Sequence, residues 1–520
     1  MTFTTLTFGL FLALVFALYW SSARLGAGRR GQNLVLLVAS YLFYGWWDPR
    51  FCGLLLASSV VDFVLARAIA AQPTPRSGRA KLLVGISCAL NLGLLALFKY
   101  FGFFVASAAA ALESLGLQAN LPSLTLILPV GISFYTFQTL GYTVDVYRGR
   151  AEVCDSLLDY LAYVSLFPQL VAGPIERADR LLPQLRRARS FDPAAARDGA
   201  RQMLWGLAKK IILADHLGEF VEQVYAGPVV HASGPVLMAA TLAFAFQIYC
   251  DFSAYSDIAI GCARLLGLDL VRNFAHPYFS QSPAEFWRRW HMSLSTWFRD
   301  YVYVPLGGSR RGPARLWLAL MVTFTLSGLW HGANWTFVAW GAVNGLFVGV
   351  AARAFQGSEA PRLGPRDVPP SPTAQASVGA GLAVLGRMLG TFALVCATWV
   401  LFRAADLPQA VGIFRHMALD SWTLRAWAEL QHHGEFLAAF GPLLALFVVA
   451  EWWTRDREHP LRDPGFDPRG LRAGAGAVEP GRGLWSDTLR PLRWLGYTAL
   501  LWLTIYLMPD EPGTFIYFQF

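Results

Sequence analysis

One histidine stands where charge-free apolar sequence surrounds it. His331 lies in Ser327-Gly328-Leu329-Trp330-His331-Gly332-Ala333-Asn334-Trp335, which continues the apolar run 316–326 without a charged residue. A neutral imidazole in that setting acts as a general base once a hydroxyl comes within hydrogen-bond reach. Gly328 and Gly332 flank it at small-residue spacing, which lets another backbone or a substrate approach closely. A histidine hydrogen-bonded between helices is the competing account of the same residue. Two further blocks carry polar groups among apolar ones. Phe286 to Tyr301 holds Arg288, Arg289, Trp290 and His291. It reads as an interfacial amphipathic helix with an aromatic belt, or as a site where Arg288 and Arg289 meet the phosphates of a donor such as a coenzyme. There His291 assists or braces. Tyr249 to Asp257 places Asp251, Ser253 and Asp257 in an apolar stretch. Asp251 or Asp257 is a candidate for orienting a histidine or a substrate hydroxyl, or for pairing with an arginine of the 286–301 block. Asp257 reads as half of a structural ion pair.

The elements that must position these residues are membrane helices. The chain has 520 residues, 55% of them hydrophobic and 15% charged, against roughly 25% charged in soluble domains. A crossing takes about 20 mostly apolar residues. Apolar runs at 4–22, 33–48, 51–71, 82–107, 121–146, 200–226, 234–265, 316–335, 336–354, 384–403, 436–453 and 491–508 are candidate spans. The run 155–172 is short for a crossing and ends in Phe-Pro-Gln-Leu-Val-Ala-Gly-Pro, which suits a helix that enters and turns back. The expected fold class is therefore an all-α, polytopic integral membrane protein with about 11–12 transmembrane helices plus re-entrant and interfacial helices.

The net charge of +9 comes from arginines gathered in the gaps between apolar runs, as in cytoplasmic loops and unlike a nucleic-acid-binding face. Arg24, Arg29 and Arg30 follow the first apolar run and none precedes it, so no cleavable signal peptide is expected. The alternation of basic gaps puts both termini outside. The chain reads as a single membrane-embedded domain with its core at 121–355, cytoplasmic loops at 356–380 and 455–490, and an extracytoplasmic tail at 509–520. Cys52, Cys88, Cys154, Cys250, Cys262 and Cys396 are scattered, with no C-x-x-C pair, so neither a disulfide framework nor a metal site is expected.

Six blocks in order carry a resemblance. They are Leu128 to Gln138, Asp145-Val-Tyr-Arg, Phe167 to Ile175, Asp251 to Asp257, Glu285 to Tyr303, and Leu329 to Trp335. Together with the terminal Phe515-Ile516-Tyr517-Phe518-Gln519-Phe520 they resemble the membrane-bound O-acyltransferase (MBOAT) family, in the bacterial branch that serves O-acetylation of alginate, peptidoglycan and cellulose. The resemblance covers most of 1–355 and the C-terminus. It implies a ring of helices around a thinned centre, with the family's essential histidine at His331 and its more variable second position at His291. It implies a cytoplasmic acyl donor, acetyl-CoA, as substrate with no bound cofactor. Arg288, Arg289, Trp290, Asn334, Asp251 and Ser253 would line the substrate path. It further implies a periplasmic acetyltransferase of the SGNH-hydrolase type as partner, a polysaccharide as indirect acceptor, and residence in the bacterial inner membrane. A C-terminal aromatic motif with a central tyrosine receives the acyl group in related systems, which points to Tyr517 as a relay nucleophile, or to a tail that docks a partner. A transporter and a non-catalytic scaffold of a polysaccharide export complex are the alternatives outside this family.

Overall fold

The computed structural model describes residues 1–74, 76–117, 126–227, 232–354, 378–462, 490–509, 513 and 515–516. Most of the expected loops 356–380 and 455–490, and Tyr517 with most of the tail 509–520, lie outside the described residues. Among these residues every regular element is a helix.

Among the described residues seven helices are long and apolar enough to cross a membrane: Leu6–Arg24, Arg50–Ala70, Gly78–Ser114, Gly234–Leu265, Trp335–Arg353, Gly381–Arg403 and Leu424–Trp453. Each contains or matches one of the twelve sequence spans. The other five sequence spans hold helices that are shorter, less apolar or interrupted, and residues 126–131 of the span 121–146 are not helical. Ile132–Tyr147, for example, has 16 residues and buries nearly all of them inside the protein. At 1.5 Å per residue it covers about 24 Å, less than the roughly 30 Å hydrocarbon core. Apolarity in these runs therefore reflects burial against protein as much as contact with lipid.

The first helix, α1 (Leu6–Arg24), displays the pattern. Thr5 caps it by accepting a hydrogen bond from the Phe8 amide. Phe8, Leu12, Val15 and Tyr19 recur at helical spacing and are buried, whereas Leu6, Leu10, Leu14 and Leu18 are exposed. A leucine stripe open to the outside is stable only if lipid covers it.

The chain divides into two compact units. Over the described residues, the first comprises 1–200 and 259–271, and the second comprises 201–258 and those from 272 onward. In the first unit, α1, α2 (Gly28–Gly45), α3 (Arg50–Ala70), α4 (Gly78–Leu95), α5 (Phe101–Ser114) and α6 (Ile132–Tyr147) are followed by the short α7 (Leu157–Ser165) and α8 (Ala178–Leu185). Buried polar side chains tie them. Asp62 on α3 accepts from Ser87 at 2.5 Å and Asn91 at 2.7 Å on α4, and from Thr143 on α6 at 3.3 Å. Arg189 donates to Tyr19 at 2.7 Å and to Asn33 at 2.6 Å, linking α1 and α2. The nine-residue α7 is too short to cross, and the turns after it bury Leu166, Phe167 and Leu170. Gly131 fits against them. Its φ is +75°, and a Cβ there would stand 2.8 Å from the Leu170 carbonyl oxygen.

α9 (Pro193–Ala208) begins in the first unit and continues in the second, where it leads into a π-turn at Lys209–Ala214 and then α10 (Asp215–Tyr225). The 32-residue α11 (Gly234–Leu265), whose end from Ala259 belongs to the first unit, is followed by α12 (Pro283–Arg289), α13 (Met292–Phe298), α14 (Pro313–His331), α15 (Trp335–Ala354), α16 (Val378–Arg403), α17 (Leu407–Leu419), α18 (Leu424–Leu430) and α19 (Gly434–Trp453). The helix Arg490–Tyr506 then leads to the C-terminus. The core is aromatic: Trp290, Trp340, Trp399 and Phe244 are among its largest fully buried side chains.

Candidate active site

α14 carries His331 as its last residue, and Gly332 continues in an extended conformation. Glycines seat this helix against α15. A Cβ on Gly328 would fall 2.1 Å from the Phe337 carbonyl oxygen, and one on Gly341 would fall 2.3 Å from that of Phe324. The small residues beside His331 thus admit a neighbouring backbone, one of the two partners their spacing allows. His331 is buried, with the rings of Trp330, Trp340 and Phe402 at 5.0, 5.2 and 5.4 Å.

The block 286–301 forms two short helices, where the sequence suggested one interfacial helix. α12 starts at Ser282, whose hydroxyl accepts from the Glu285 amide, with Pro283 in the first turn. It ends at Trp290, and His291 takes a left-handed conformation with φ of +42° before α13 begins. Asn273 holds this break. Its backbone carbonyl accepts from the Met292 amide at 2.9 Å, and its Oδ1 accepts from the Ser293 amide and hydroxyl. Trp290 and Trp297 are buried, so they are core residues and not a belt at the membrane surface. Non-glycine residues at positive φ cost energy and persist where the surroundings enforce them.

The same Asn273 Oδ1 lies 3.1 Å from His291 Nδ1. Because the Ser293 backbone amide can only donate, this oxygen is an acceptor, and Nδ1 must carry the proton it receives. That leaves Nε2 as the basic nitrogen of the His291 ring. Burial, and secondarily the nearby His331, push the His291 pKa well below its usual value, so the ring is neutral at physiological pH. Phe252 packs edge-on at 4.6 Å, and the His291 and His331 ring centroids are 6.5 Å apart.

The remaining predicted site residues separate into groups. Arg289 pairs with Glu285 at 2.8 Å, four residues earlier on α12, and donates to the Ala275 carbonyl; Arg288 lies beside it, half-buried. Trp290 sits among Tyr249, Tyr278, Phe286 and Trp399. Asn334 binds the Ala405 carbonyl at 2.8 Å and accepts from the Thr336 amide, which makes it a brace for the start of α15. Ser253 accepts from Lys209 at 2.6 Å. Lys209 also pairs with Asp257 at 2.6 Å, the structural ion pair that the sequence suggested for that aspartate. Asp251 pairs with a lysine, Lys210, at 2.6 Å, and not with an arginine of the 286–301 block.

Sequence reasoning missed Asn273, Phe252, Trp340 and Phe402, which carry no distinguishing local signal. It also missed a buried cluster for which a signal existed. Glu451, a charge at the end of an apolar helix, accepts from Tyr249 at 2.6 Å and lies 2.6 Å from His276 Nδ1. A cavity of about 650 Å³ opens beside it, walled by Phe246, Tyr278, Leu385, Phe392, Phe447 and Trp452. Neither His331 nor His291 lines that cavity. Among the described residues no group of three or more His, Cys, Asp or Glu is placed to hold a metal ion.

The long apolar helices define a multi-pass membrane protein, and the comparisons with known proteins say of which family. The model of the MBOAT, membrane-bound O-acyltransferase family matches residues 154–366. The chain is 37% identical to the probable alginate O-acetylase of Azotobacter vinelandii over 86% of its own length and 83% of that protein. It is 38% identical to the probable alginate O-acetylase of Pseudomonas aeruginosa over 85% of its own length and 78% of the relative. With the peptidoglycan O-acetyltransferase of Helicobacter pylori it shares 31% identity over 74% and 73%. The chain belongs to the membrane-bound O-acyltransferase family. It is a multi-pass membrane enzyme, an O-acyltransferase, which decides against the transporter and scaffold alternatives.

Proposed function

We propose that the protein moves acetyl groups from a cytoplasmic donor across the bacterial inner membrane for O-acetylation of an extracellular polysaccharide of the alginate, cellulose or peptidoglycan kind. The observation that carries the site assignment is the buried pair of His331 and His291, 6.5 Å apart among aromatic rings. His331 serves as general base. His291, with Nδ1 committed to Asn273, offers Nε2 on the same site. The donor is acetyl-CoA, entering from the cytoplasm, with its phosphates met by Arg288 and Arg289. The names of the bacterial relatives support the acetyl group and the class of polymer.

In the reacting step, His331 takes the proton of the accepting hydroxyl, and the oxygen attacks the thioester carbonyl carbon. The new C–O bond forms, the C–S bond breaks, and the coenzyme A thiolate leaves and takes up the proton. The accepting hydroxyl is that of Tyr517, from which a periplasmic acetyltransferase of the SGNH-hydrolase type carries the acetyl group to the polymer. Both termini face the periplasm. Support for the relay comes from Ile516, whose amide donates to Asp251 at 2.7 Å, immediately before Phe252 of the histidine site.

The test is acetyl transfer from labelled acetyl-CoA by the purified protein in proteoliposomes. His331→Ala should abolish transfer while inserting normally; full transfer by that variant overturns the assignment. Tyr517→Phe should leave no acetylated protein, and undiminished transfer would remove the relay.

A further inference from the structure

Charged groups buried in a membrane protein need a reason. Lys210, in the π-turn between α9 and α10, pairs with Asp251 at 2.6 Å and Asp215 at 2.7 Å. The three side chains are 2%, 5% and 6% exposed. One cation between two carboxylates leaves an excess negative charge in a medium that penalises it. π-turns of this kind recur at functional sites.

The C-terminal segment meets that excess at several points. The second oxygen of Asp251 accepts the Ile516 amide at 2.7 Å. Lys210 Nζ stands 4.5 Å from the centre of the Phe515 ring, and Tyr255 packs edge-on against the same ring at 5.1 Å. Gly513 rests on the third member of the triad, where a Cβ would fall 2.7 Å from Asp215 Oδ1. Asp215 Oδ2 is buried and has no hydrogen-bond partner among the described residues. Phe515 and Ile516 are 2% and 3% exposed. A backbone amide, an aromatic face and a position without a Cβ are three different chemical features of one short peptide, and each has its own receiver.

We propose that Lys210, Asp215 and Asp251 form a socket for the C-terminal peptide, gripping Gly513 to Ile516, and act as positioning residues for acyl transfer. None of the three reacts. The residue bonded to Ile516 has its Cα about 3.8 Å from that of Ile516, so the socket restricts where Tyr517 can be. The kinetic part of the inference rests on the relay reading; the gripping of the tail does not.

The experiment separates the two. Ile516→Cys keeps the amide that Asp251 receives, and alkylation of its thiol by a membrane-impermeant maleimide is read on the C-terminal peptide by mass spectrometry. With the socket intact, the introduced thiol should be protected. Asp251→Leu and Lys210→Met, each added to that background, should speed its labelling about tenfold or more, the effect of losing one charged hydrogen bond. Both should lower kcat for acetyl transfer with the KM for acetyl-CoA unchanged, and Lys210→Arg should restore part of it. Gly513→Ala leaves the triad whole and should release the tail by clash, which covers the case in which the triad variants fail to fold. A thiol equally protected in every variant overturns the socket. Released tails together with undiminished transfer by Tyr517→Phe would uphold the socket and sink the relay.

Discussion

Two buried polar regions of this enzyme contrast sharply. In the first unit, the Asp62 carboxylate is taken up by Ser87, Asn91 and Thr143, neutral donors on the neighbouring helices α4 and α6. Thr139 adds to the knot by donating to Asn91 at 3.1 Å. In the second unit, several polar groups lie where helices break or end: at the left-handed His291, at the last residue of α14 and at a π-turn whose lysines meet aspartates on α11. The first arrangement locks helix to helix. The second places ionisable groups beside segments whose backbone is irregular, where a substrate or tail can enter without breaking a helix. Polar burial by itself is therefore no mark of function; the company it keeps is.

Substitutions can break that contrast, starting with the largest expected effect. His331→Ala should reduce acetyl transfer by about 10²–10⁴-fold, the usual worth of a general base, with an unchanged melting temperature in detergent. A large stability loss would move His331 into the structural class with Asp62. Asn273→Ala should come next. It removes the acceptor of the His291 ring, the Ser293 amide and the Ser293 hydroxyl, costing roughly 1–3 kcal/mol and slowing transfer by freeing the imidazole; thermal unfolding and single-turnover rates report the two effects. Asp62→Ala should lower stability by a similar roughly 1–3 kcal/mol yet leave the transfer rate per folded molecule unchanged, and a selective rate loss would blur the distinction between the units.

Acid should act through His291. Its pKa is depressed in the folded protein, while the unfolded chain binds a proton near 6.5. The unfolded state therefore holds more protons below that pH, so the contribution to stability is full above about pH 6.5 and is lost as pH falls further. Melting temperatures of the parent and His291→Gln should converge on acidification. The smallest effect belongs to the exposed pair of Arg186 and Glu152, where Glu152→Ala should leave melting temperature and transfer within experimental error.

Much of this was legible beforehand. The apolar runs located all seven long helices, and the six blocks located the family. His331 drew notice because no charged residue surrounds it, and Asp257 already read as half of an ion pair. The break at Trp290–His291 was not legible, since the block keeps helical amphipathic spacing on both sides and its interruption depends on Asn273, 18 residues away. Nor was the partner of Asp251. The four lysines are Lys81, Lys99, Lys209 and Lys210; their rarity was visible, but only folding showed that the last two neutralise aspartates on α11.

The amino-acid sequence by itself determined that this chain lives in a membrane, is helical, and carries its reactive candidates in a few blocks, because hydropathy and local motif are properties of neighbours along the chain. Tertiary structure alone decided which apolar helices are buried against protein, that His291 and His331 come together among aromatic rings, and that Gly513, Phe515 and Ile516 meet charged groups from α10, the π-turn and α11. Those outcomes depend on contacts between residues far apart in sequence, up to 265 positions for Ile516 and Asp251. No local pattern encodes a contact made only when distant segments pack.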